Sequence, residues 1–191
     1  MEILRCSELA DVPWKNGGGI TREIAMAKQN DRMIWRLSRA DVAQNGPFSE
    51  FVGLSRILTV VAGNGIVLQY PGGTLEALSG IPVAFDGGLS VVGRLLDGPL
   101  TDLNLMFDPA RCEGQVVPLQ GPSEHVTDRL CAACHVLAGK PHLDGQSLYI
   151  GDTAFPAKAT RAVLETGDAL LEIRIRYVDQ SDDIRLSIAA R

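Results

Sequence analysis

The sequence contains few of the residues from which metal centres and serine nucleophiles are built. Only three histidines occur among 191 residues, His125, His135 and His142, and they form no H-x-H or H-E-x-x-H pattern. No G-x-S-x-G segment, which presents a serine nucleophile, is present either. We therefore expect no metal and no other cofactor in this protein.

Long apolar runs and basic runs are also missing. No stretch approaches 18 consecutive apolar residues, so no membrane span and no membrane partner are predicted. The formal net charge is −5, which gives nucleic acid no electrostatic surface to bind. The opening MEILRCSELADVPWKN lacks the basic and apolar regions of a secretory signal, so we expect a cytoplasmic protein with reduced cysteines.

Helical periodicity is scarce, and a β-strand rhythm takes its place. The chain has 20 glycines and 10 prolines, and the short runs between them alternate or are rich in β-branched residues, which is typical of an all-β sandwich or barrel. Residues 7–12 predict one helical turn with Ser7 as its N-cap. The predicted strands cover residues 21–26, 33–42, 56–62, 66–70, 74–78, 81–85, 90–96, 100–107, 129–138, 146–151, 160–165 and 169–178.

Two short segments indicate how the strands are organised. GNG at 63–65 predicts a β-hairpin between strands 56–62 and 66–70, because Asn-Gly tolerates the positive φ of tight turns. VVAG at 60–63 and VLAG at 136–139 each close a predicted strand. This weak repeat, with the chain length and the strand count, fits two stacked or packed β-barrels.

The most distinctive segment is PWKNGGGITREI at residues 13–24. A phosphate loop needs G-x-x-x-x-G-K-[ST], and a dinucleotide turn needs G-x-G-x-x-G before a helix. Arg22 stands where the third glycine of the second pattern should be, and a strand follows. Two interpretations remain open: a nest of N–H groups for a smaller anion, and a turn that lets the chain pass close to another strand.

Polar side chains occur in a face-specific pattern along three predicted strands. Successive side chains of an extended strand point to opposite faces, so one of the charged residues Arg22 and Glu23 must point toward the interior. In the other two strands polar residues gather on one face. Such a face lines either solvent or a polar cavity, and three such strands favour a cavity. The groups that share a face are Thr21 and Glu23, opposite Arg22 and Ile24; Arg36, Ser38 and Ala40, opposite Trp35, Leu37 and Arg39; and Asp102, Asn104 and Met106, opposite Leu103 and Leu105.

CAACH at residues 131–135 matches the C-x-x-C-H pattern of covalent haem attachment. That interpretation is rejected, because haem attachment goes with export and the surrounding residues predict a core strand. In a regular strand Cys131 and Cys134 face opposite ways, so we expect neither a shared metal nor a disulfide between them.

Four segments together resemble the HutD/Ves family: residues 13–25, 35–42, 46–65 and 95–107. The resemblance implies a bicupin, with an N-terminal cupin module at 1–110 and a C-terminal one at 111–191 forming a single compact body of the RmlC-like cupin type. It also implies a link to bacterial histidine utilisation, as a governor without a known catalytic step. A small acidic metabolite such as formylglutamate or urocanate is the implied ligand.

The family motif covers Trp14, Lys15, Asn16, the three glycines, Thr21, Arg22 and Glu23, and it extends to Phe48 and Ser49. Ile20 departs from it, since a small or hydroxylated residue is expected there. Residues 151–163 keep the outline of a second cupin motif without its histidine, so both halves are expected to be metal-free. The predicted ligand-binding residues are Trp14, Lys15, Asn16, Thr21, Arg22, Glu23, Arg36, Ser38, Arg56, Asp102, Asn104 and Met106.

Three functions are weighed on these residues. The preferred one is a non-catalytic receptor, in which Lys15 with Arg22 or Arg36 supplies charge for a carboxylate. The second is a metal-free isomerase or hydrolase with Glu23 or Asp102 as general base. The third, a metal-dependent cupin oxygenase, lacks ligands. A homodimer is compatible with the sequence but is not predicted by any motif.

Overall fold

The computed structural model describes residues 1–15, 17–179 and 183–189. Over these residues the chain forms twenty strands and a short 3₁₀ turn, Cys6–Glu8, which confirms the predicted all-β class. No helix in this part of the chain is long and apolar enough to span a membrane. The strands are β1 (Glu2–Leu4), β2 (Val12–Pro13), β3 (Gly19–Gln29), β4 (Arg32–Val42), β5 (Gly46–Pro47), β6 (Ser55–Ala62), β7 (Gly65–Tyr70), β8 (Gly73–Leu78), β9 (Val83–Asp86), β10 (Val92–Leu95), β11 (Leu100–Phe107), β12 (Cys112–Gln120), β13 (Ser123–Val126), β14 (Cys131–Ala138), β15 (His142–Leu143), β16 (Gln146–Ser147), β17 (Thr153–Phe155), β18 (Arg161–Leu164), β19 (Ala169–Tyr177) and β20 (Arg185–Ile188).

The chain divides into two compact units. The first unit consists of Ala10–Glu113 together with the described residues from Tyr177 onward. The second unit consists of Met1–Leu9 and Gly114–Arg176. Each unit therefore takes residues from both halves of the chain.

The first unit contains two antiparallel sheets. One has seven strands in the order β2-β3-β4-β11-β6-β9, with β20 also paired to β3, and the other has the order β5-β10-β7-β8. A buried apolar cluster takes residues from both sheets, including Leu58 and Val60 on β6 and Ile66 and Leu68 on β7. Each such side chain contributes about 1.5–3 kcal/mol when fully buried, so this cluster holds the two sheets together.

The second unit also contains two sheets, with the orders β1-β17-β14-β19-β12 and β13-β18-β15-β16. Its buried cluster includes Val136 on β14, Leu143 on β15, Leu164 on β18 and Leu170 on β19. These side chains again come from both sheets, so an apolar cluster joins the two sheets. The second unit also buries polar side chains, among them His135 and Glu172.

The hairpin predicted at GNG, residues 63–65, is wrong. β6 belongs to the seven-stranded sheet and β7 to the four-stranded one, so this turn carries the chain from one sheet to the other. Gly63 and Gly65 do have positive φ, 91° and 150°. A Cβ at Gly63 would lie 2.9 Å from the Pro99 carbonyl oxygen, and one at Gly65 would lie 2.8 Å from that of Ala77. The connection between the two sheets therefore requires glycine at the same positions as a tight hairpin would, so the sequence pattern does not distinguish the two.

The helical turn predicted at residues 7–12 is also placed wrongly. The 3₁₀ turn covers Cys6–Glu8, so Ser7 lies inside it and Arg5 precedes it. The backbone N–H of Arg5 donates to the Glu8 carboxylate at 2.8 Å. Glu8, and not Ser7, therefore supplies the side-chain oxygen that satisfies the backbone at the start of this turn.

Candidate functional site

A cavity of about 540 Å³ lies within the first unit. Its volume is within the range of about 300–1,000 Å³ that is typical of small-molecule sites. Strands β3, β4, β6 and β11 contribute most of its polar lining, and the loops around residues 13–15 and 47–51 contribute most of its aromatic lining. The lining residues are Pro13, Trp14, Lys15, Thr21, Arg36, Ser38, Ala40, Pro47, Phe48, Ser49, Phe51, Arg56, Asp102, Asn104 and Met106.

The pleat of β4 and β11 brings their polar residues to one face. These strands are antiparallel, and Asn104 lies opposite Ser38 while Met106 lies opposite Arg36. Leu103 lies on the opposite face of β11, where it is buried. The alternation read in the sequence therefore places the polar side of both strands against the cavity.

Arg56 is the most deeply buried cation of the cavity lining, with 4% of the residue exposed. Its Nη2 donates to Asn104 Oδ1 at 2.9 Å, and its Nη1 donates weakly to the Ser49 carbonyl oxygen at 3.4 Å. Among the described residues, no carboxylate lies within ion-pair distance of this guanidinium. Burial lowers its pKa to about 10, so it remains a cation at neutral pH.

Aromatic rings surround this guanidinium. Ring faces attract cations through their quadrupole, and each such contact is worth about 0.5–2 kcal/mol. The rings compensate part of the cost of burying the charge. They do not replace the hydrogen bonds that a carboxylate would accept from the guanidinium N–H groups. The guanidinium carbon lies 5.7, 5.4 and 5.0 Å from the ring centroids of Phe48, Phe51 and Phe85.

Asp102 is the buried carboxyl group of the cavity, with 1% of the residue exposed. Its Oδ1 accepts a hydrogen bond from Asn104 Nδ2, so Asn104 bridges Arg56 and Asp102. Burial raises the pKa of Asp102 to about 7, although Arg56 and Asn104 act in the opposite direction. This side chain therefore changes its protonation state close to neutral pH.

The glycine run positions Trp14 at the cavity wall. The Trp14 N–H donates to the Gly19 carbonyl oxygen at 2.9 Å, and the Gly17 N–H donates to that of Trp14 at 3.0 Å. The indole Nε1 donates to Thr21 Oγ1 at 2.7 Å. A Cβ at Gly19 would clash with the Asp41 carbonyl oxygen and lie 3.1 Å from the indole ring. The run thus lets the chain pass close to a neighbouring strand, as the second interpretation of the sequence proposed.

Arg22, one of the predicted ligand-binding residues, does not line the cavity. Arg22 lies on the other face of β3, where its Nε donates to Asp11 at 2.6 Å and its Nη1 to Asp41 at 2.7 Å. These two ion pairs compensate the charge of Arg22 without a ligand. Asn16 lies outside the described residues.

Glu23 is also absent from the lining, although it lies next to it. Its carboxylate accepts a hydrogen bond from Arg36 Nε at 3.0 Å, and 43% of the Glu23 side chain is exposed. Arg36 itself lines the cavity, as does the exposed Lys15. Glu23 therefore orients one of the cavity's cations and does not itself face the space where a ligand would lie.

The loop GPFSEF at residues 46–51 is the part of the site that the sequence prediction missed. Phe48 and Phe51 both line the cavity, and the Phe48 ring packs edge-on against Trp14 with 6.3 Å between centroids. The family resemblance included Phe48 and Ser49 but assigned them no role. The sequence does contain a signal that could have identified this loop. Two phenylalanines follow a Gly-Pro pair within a few residues, in a chain with only 5% aromatic residues.

The CAACH strand differs from its prediction in one respect. It is a core strand, β14, but a register shift between Cys131 and Ala133 places a β-bulge there. The bulge reverses the alternation locally, so the Cys131 and Cys134 sulfurs lie 3.6 Å apart. The prediction that the two thiols face opposite ways is therefore wrong. Within the described part of the chain, no group of three or more His, Cys, Asp or Glu side chains is arranged to hold a metal ion.

Comparison with known proteins identifies the family. The model of the family described as HutD matches residues 6–176. The chain belongs to the HutD family. A Pseudomonas putida protein, described as an uncharacterized 21.2 kDa protein in the hutC 3' region, is 37% identical over 126 residues, which are 64% of this chain and 66% of that protein. Protein Ves of Citrobacter koseri is 36% identical over 106 residues, 54% of this chain and 56% of that protein. The match thus spans less than two thirds of either relative.

Solved structures agree with this assignment. HutD from Pseudomonas fluorescens SBW25, solved in a formate condition, superposes with a TM-score of 0.76 at 29% identity over 93% of this chain and 99% of that one. A conserved protein of unknown function from Pseudomonas aeruginosa PAO1 gives 0.75 at 28%, with the same coverage. A bacterial pirin from Escherichia coli, solved with nickel(II), gives 0.64 at 10% over 91% of this chain and 97% of that one, which shows the fold alone. The HutD/Ves resemblance and a cupin-like fold are confirmed.

Proposed function

We propose that this HutD-family chain is a metal-free bicupin that binds a small acidic metabolite of histidine utilisation in the cytoplasm and governs that pathway without catalysing a step. The family assignment and the hutC-region description of the Pseudomonas putida relative support the pathway. Two compact units, each with two sheets, support the bicupin architecture. Formylglutamate and urocanate are the proposed ligands.

Arg56 is the single observation that carries the proposal. A buried cation is costly unless an anion and full hydrogen bonding compensate it. The guanidinium has aromatic neighbours, one hydrogen bond to Asn104 and one weak bond to Ser49. Among the described residues no carboxylate lies within ion-pair distance of it, and Asp102 is reached only through Asn104. A ligand carboxylate in the cavity would supply the missing counter-ion.

The rest of the lining suits the remainder of such a ligand. Arg36 and Lys15 offer positive charge for a second carboxylate, which formylglutamate has and urocanate lacks. Trp14 and Phe48 offer two apolar ring surfaces, set edge-on to each other, for the carbon skeleton or for the imidazole ring of urocanate. Protonated Asp102 would not repel an anion, so affinity is expected to fall as the pH rises through about 7.

Calorimetric titration with formylglutamate, urocanate and glutamate tests the proposal. We expect one-site binding in the micromolar range for at least one acid, and a loss of about 100-fold in Arg56→Gln, because the charge-assisted pairing is removed. Arg22→Gln is the matched control: its guanidinium lies outside the cavity lining, so affinity should be unchanged. No heat from any of the three acids, or equal losses in both variants, would refute the proposal.

A catalytic alternative is favoured by one observation. Asp102 lies in the cavity with a pKa of about 7, where a general base is most effective. The other predicted base, Glu23, is paired with Arg36 outside the lining. If the chain is an isomerase or hydrolase, NMR spectra of the bound acid should show turnover that Asp102→Asn abolishes while binding persists. Unchanged ligand spectra over days would exclude it.

A further inference from the structure

The second unit contains a pair of thiols that the proposed function does not use. We propose that Cys131 and Cys134 form a two-electron redox site, which a small disulfide such as oxidised glutathione converts into an intramolecular disulfide. Both cysteines are free thiols, and they belong to one C-x-x-C segment. The proposal concerns the second unit alone and is independent of ligand binding in the first.

The geometry of β14 carries this proposal. The two sulfurs lie 3.6 Å apart, because the bulge between Cys131 and Ala133 turns both side chains toward each other. A disulfide requires about 2.05 Å between sulfurs, so the remaining closure is within reach of side-chain rotation and a small backbone shift. The Cys131 thiol also lies 3.5 Å from the Ala133 carbonyl oxygen, within the same bulge. The bulge therefore pre-positions the pair.

The two thiols differ in exposure, which assigns their roles. Cys131 is partly exposed, whereas Cys134 is fully buried. The Cys131 thiolate attacks one sulfur of oxidised glutathione and expels one glutathione thiolate, which leaves a mixed disulfide. The Cys134 thiolate then attacks the Cys131 sulfur and expels the second glutathione. The two thiol protons end on the two glutathiones, so the protein loses two electrons and the oxidant gains them.

The surroundings make this a slowly reacting pair. Hydrogen bonding to Cys134, burial and the Glu172 carboxylate all raise the pKa of the Cys131 thiol. Glu172 is itself held by Arg174 at 2.7 Å and lies 3.4 Å from His125 Nε2. Thiolate is scarce at neutral pH under these conditions, so oxidation must be followed to equilibrium.

The other two cysteines provide internal controls. Cys112 is buried, and its Sγ donates to the Ile34 carbonyl oxygen at 3.7 Å. Cys6 is partly exposed, and its backbone N–H donates to Asp152 at 3.1 Å. No disulfide partner is proposed for either of them.

Equilibration in glutathione buffers tests the site. The reduced full chain is incubated at graded ratios of oxidised to reduced glutathione, quenched with acid, denatured, alkylated and mapped by mass spectrometry. We expect the peptide with Cys131 and Cys134 to escape alkylation and to lose two hydrogens, reversibly with dithiothreitol, while Cys6 and Cys112 are alkylated. The disulfide between Cys131 and Cys134 should form in the folded chain at a ratio of oxidised to reduced glutathione about tenfold lower than in urea, because the fold holds the two sulfurs together.

Variants assign the two roles. Cys134→Ser should accumulate a mixed disulfide with glutathione at Cys131, whereas Cys112→Ser should behave like the wild type. Two results would overturn the proposal. In the first, both thiols of the folded chain are still fully alkylated at ratios of oxidised to reduced glutathione that link them in urea. In the second, the wild-type chain keeps a mixed disulfide with glutathione. The wild-type mapping needs no variant, so a variant that fails to fold leaves the test intact.

Discussion

The two units share a strand pairing and differ in what it encloses. In the first unit Met106 lies opposite Arg56 on β11 and β6. In the second unit Arg174 lies opposite Cys131 on β19 and β14. Two residues further along β11 and β6, Asn104 faces Leu58, and two further again Asp102 faces Val60. On β19 the same two steps bring Glu172 opposite Cys134 and Leu170 opposite Val136, although the bulge makes the first step on β14 three residues long. Apart from that bulge the register is the same, whereas the side chains are different.

That difference shows how one strand pairing can line a cavity with polar groups in the first unit and contribute to an apolar cluster in the second. Arg56 and Asp102 line the cavity of the first unit. Leu170, which corresponds to Asp102 in the register, is fully buried against Leu164 and Val136. The strand pairing alone therefore does not determine whether the interior at these positions is polar or apolar; the side chains do.

The largest expected effect comes from placing the charge of the first unit in the second. Leu170→Asp puts a carboxylate into an aliphatic interior, and we expect a loss of about 4 kcal/mol or more in the free energy of unfolding at pH 8. Urea unfolding measures it, with the neutral Leu170→Asn as control. The two variants should converge near pH 4, where the introduced carboxyl group is protonated. Equal stability of both variants at pH 8 would contradict an apolar interior.

The reciprocal change concerns Asp102, whose pKa burial raises from 3.8 to about 7. The folded state then holds a proton that the unfolded chain releases, so the stabilisation is complete below about pH 4 and is lost as the pH rises to 7. Asn does not titrate, so Asp102→Asn should gain stability relative to wild type between pH 4 and 8, by up to about 4 kcal/mol. Asp97→Asn, on an exposed side chain, is the control. A difference that stays flat with pH would show that Asp102 is not buried as described.

A smaller effect is expected where the glycine run shapes the cavity wall. Gly19→Ala brings a methyl group against the Asp41 carbonyl oxygen and the Trp14 ring, and we expect a loss of about 2 kcal/mol in stability with weaker ligand binding. Gly46→Ala is the control, because no atom lies within 4 Å of a Cβ there. Thermal unfolding and calorimetry measure both effects. If Gly19→Ala behaves like its control, the close approach at Gly19 has no energetic role.

Local pattern predicted most of the strands. The segment 100–107 coincides with β11, because its residues alternate and the turn-forming segments DGP at 97–99 and DP at 108–109 bound it. β12 was missed because Gly114 and Pro118 interrupt it, and proline is accommodated there since β12 is an edge strand of its sheet. The predicted strand at 146–151 shortens to Gln146–Ser147, after which the Asp152 carboxylate accepts the Tyr149 N–H at 2.9 Å and turns the chain.

For the site, alternation predicted which faces are polar but not which contacts they make. It identified Asp102 and Asn104 correctly as facing away from Leu103, because that follows from the pleat alone. It did not reveal that Arg22 pairs with distant aspartates, since ion pairs depend on tertiary structure. The bulge at Cys131 was equally hidden, because a bulge inserts one residue without a required sequence signature.

The most direct test of the central claim uses the two tryptophans as paired reporters. Trp14 lines the cavity, whereas Trp35 is buried and donates its indole N–H to the Tyr177 hydroxyl at 2.8 Å. In ¹⁵N-correlated NMR spectra, addition of formylglutamate or urocanate should move the Trp14 indole signal, leave that of Trp35 in place, and move neither in Arg56→Gln. An unmoved Trp14 signal at saturating acid would contradict a carboxylate receptor in the first unit.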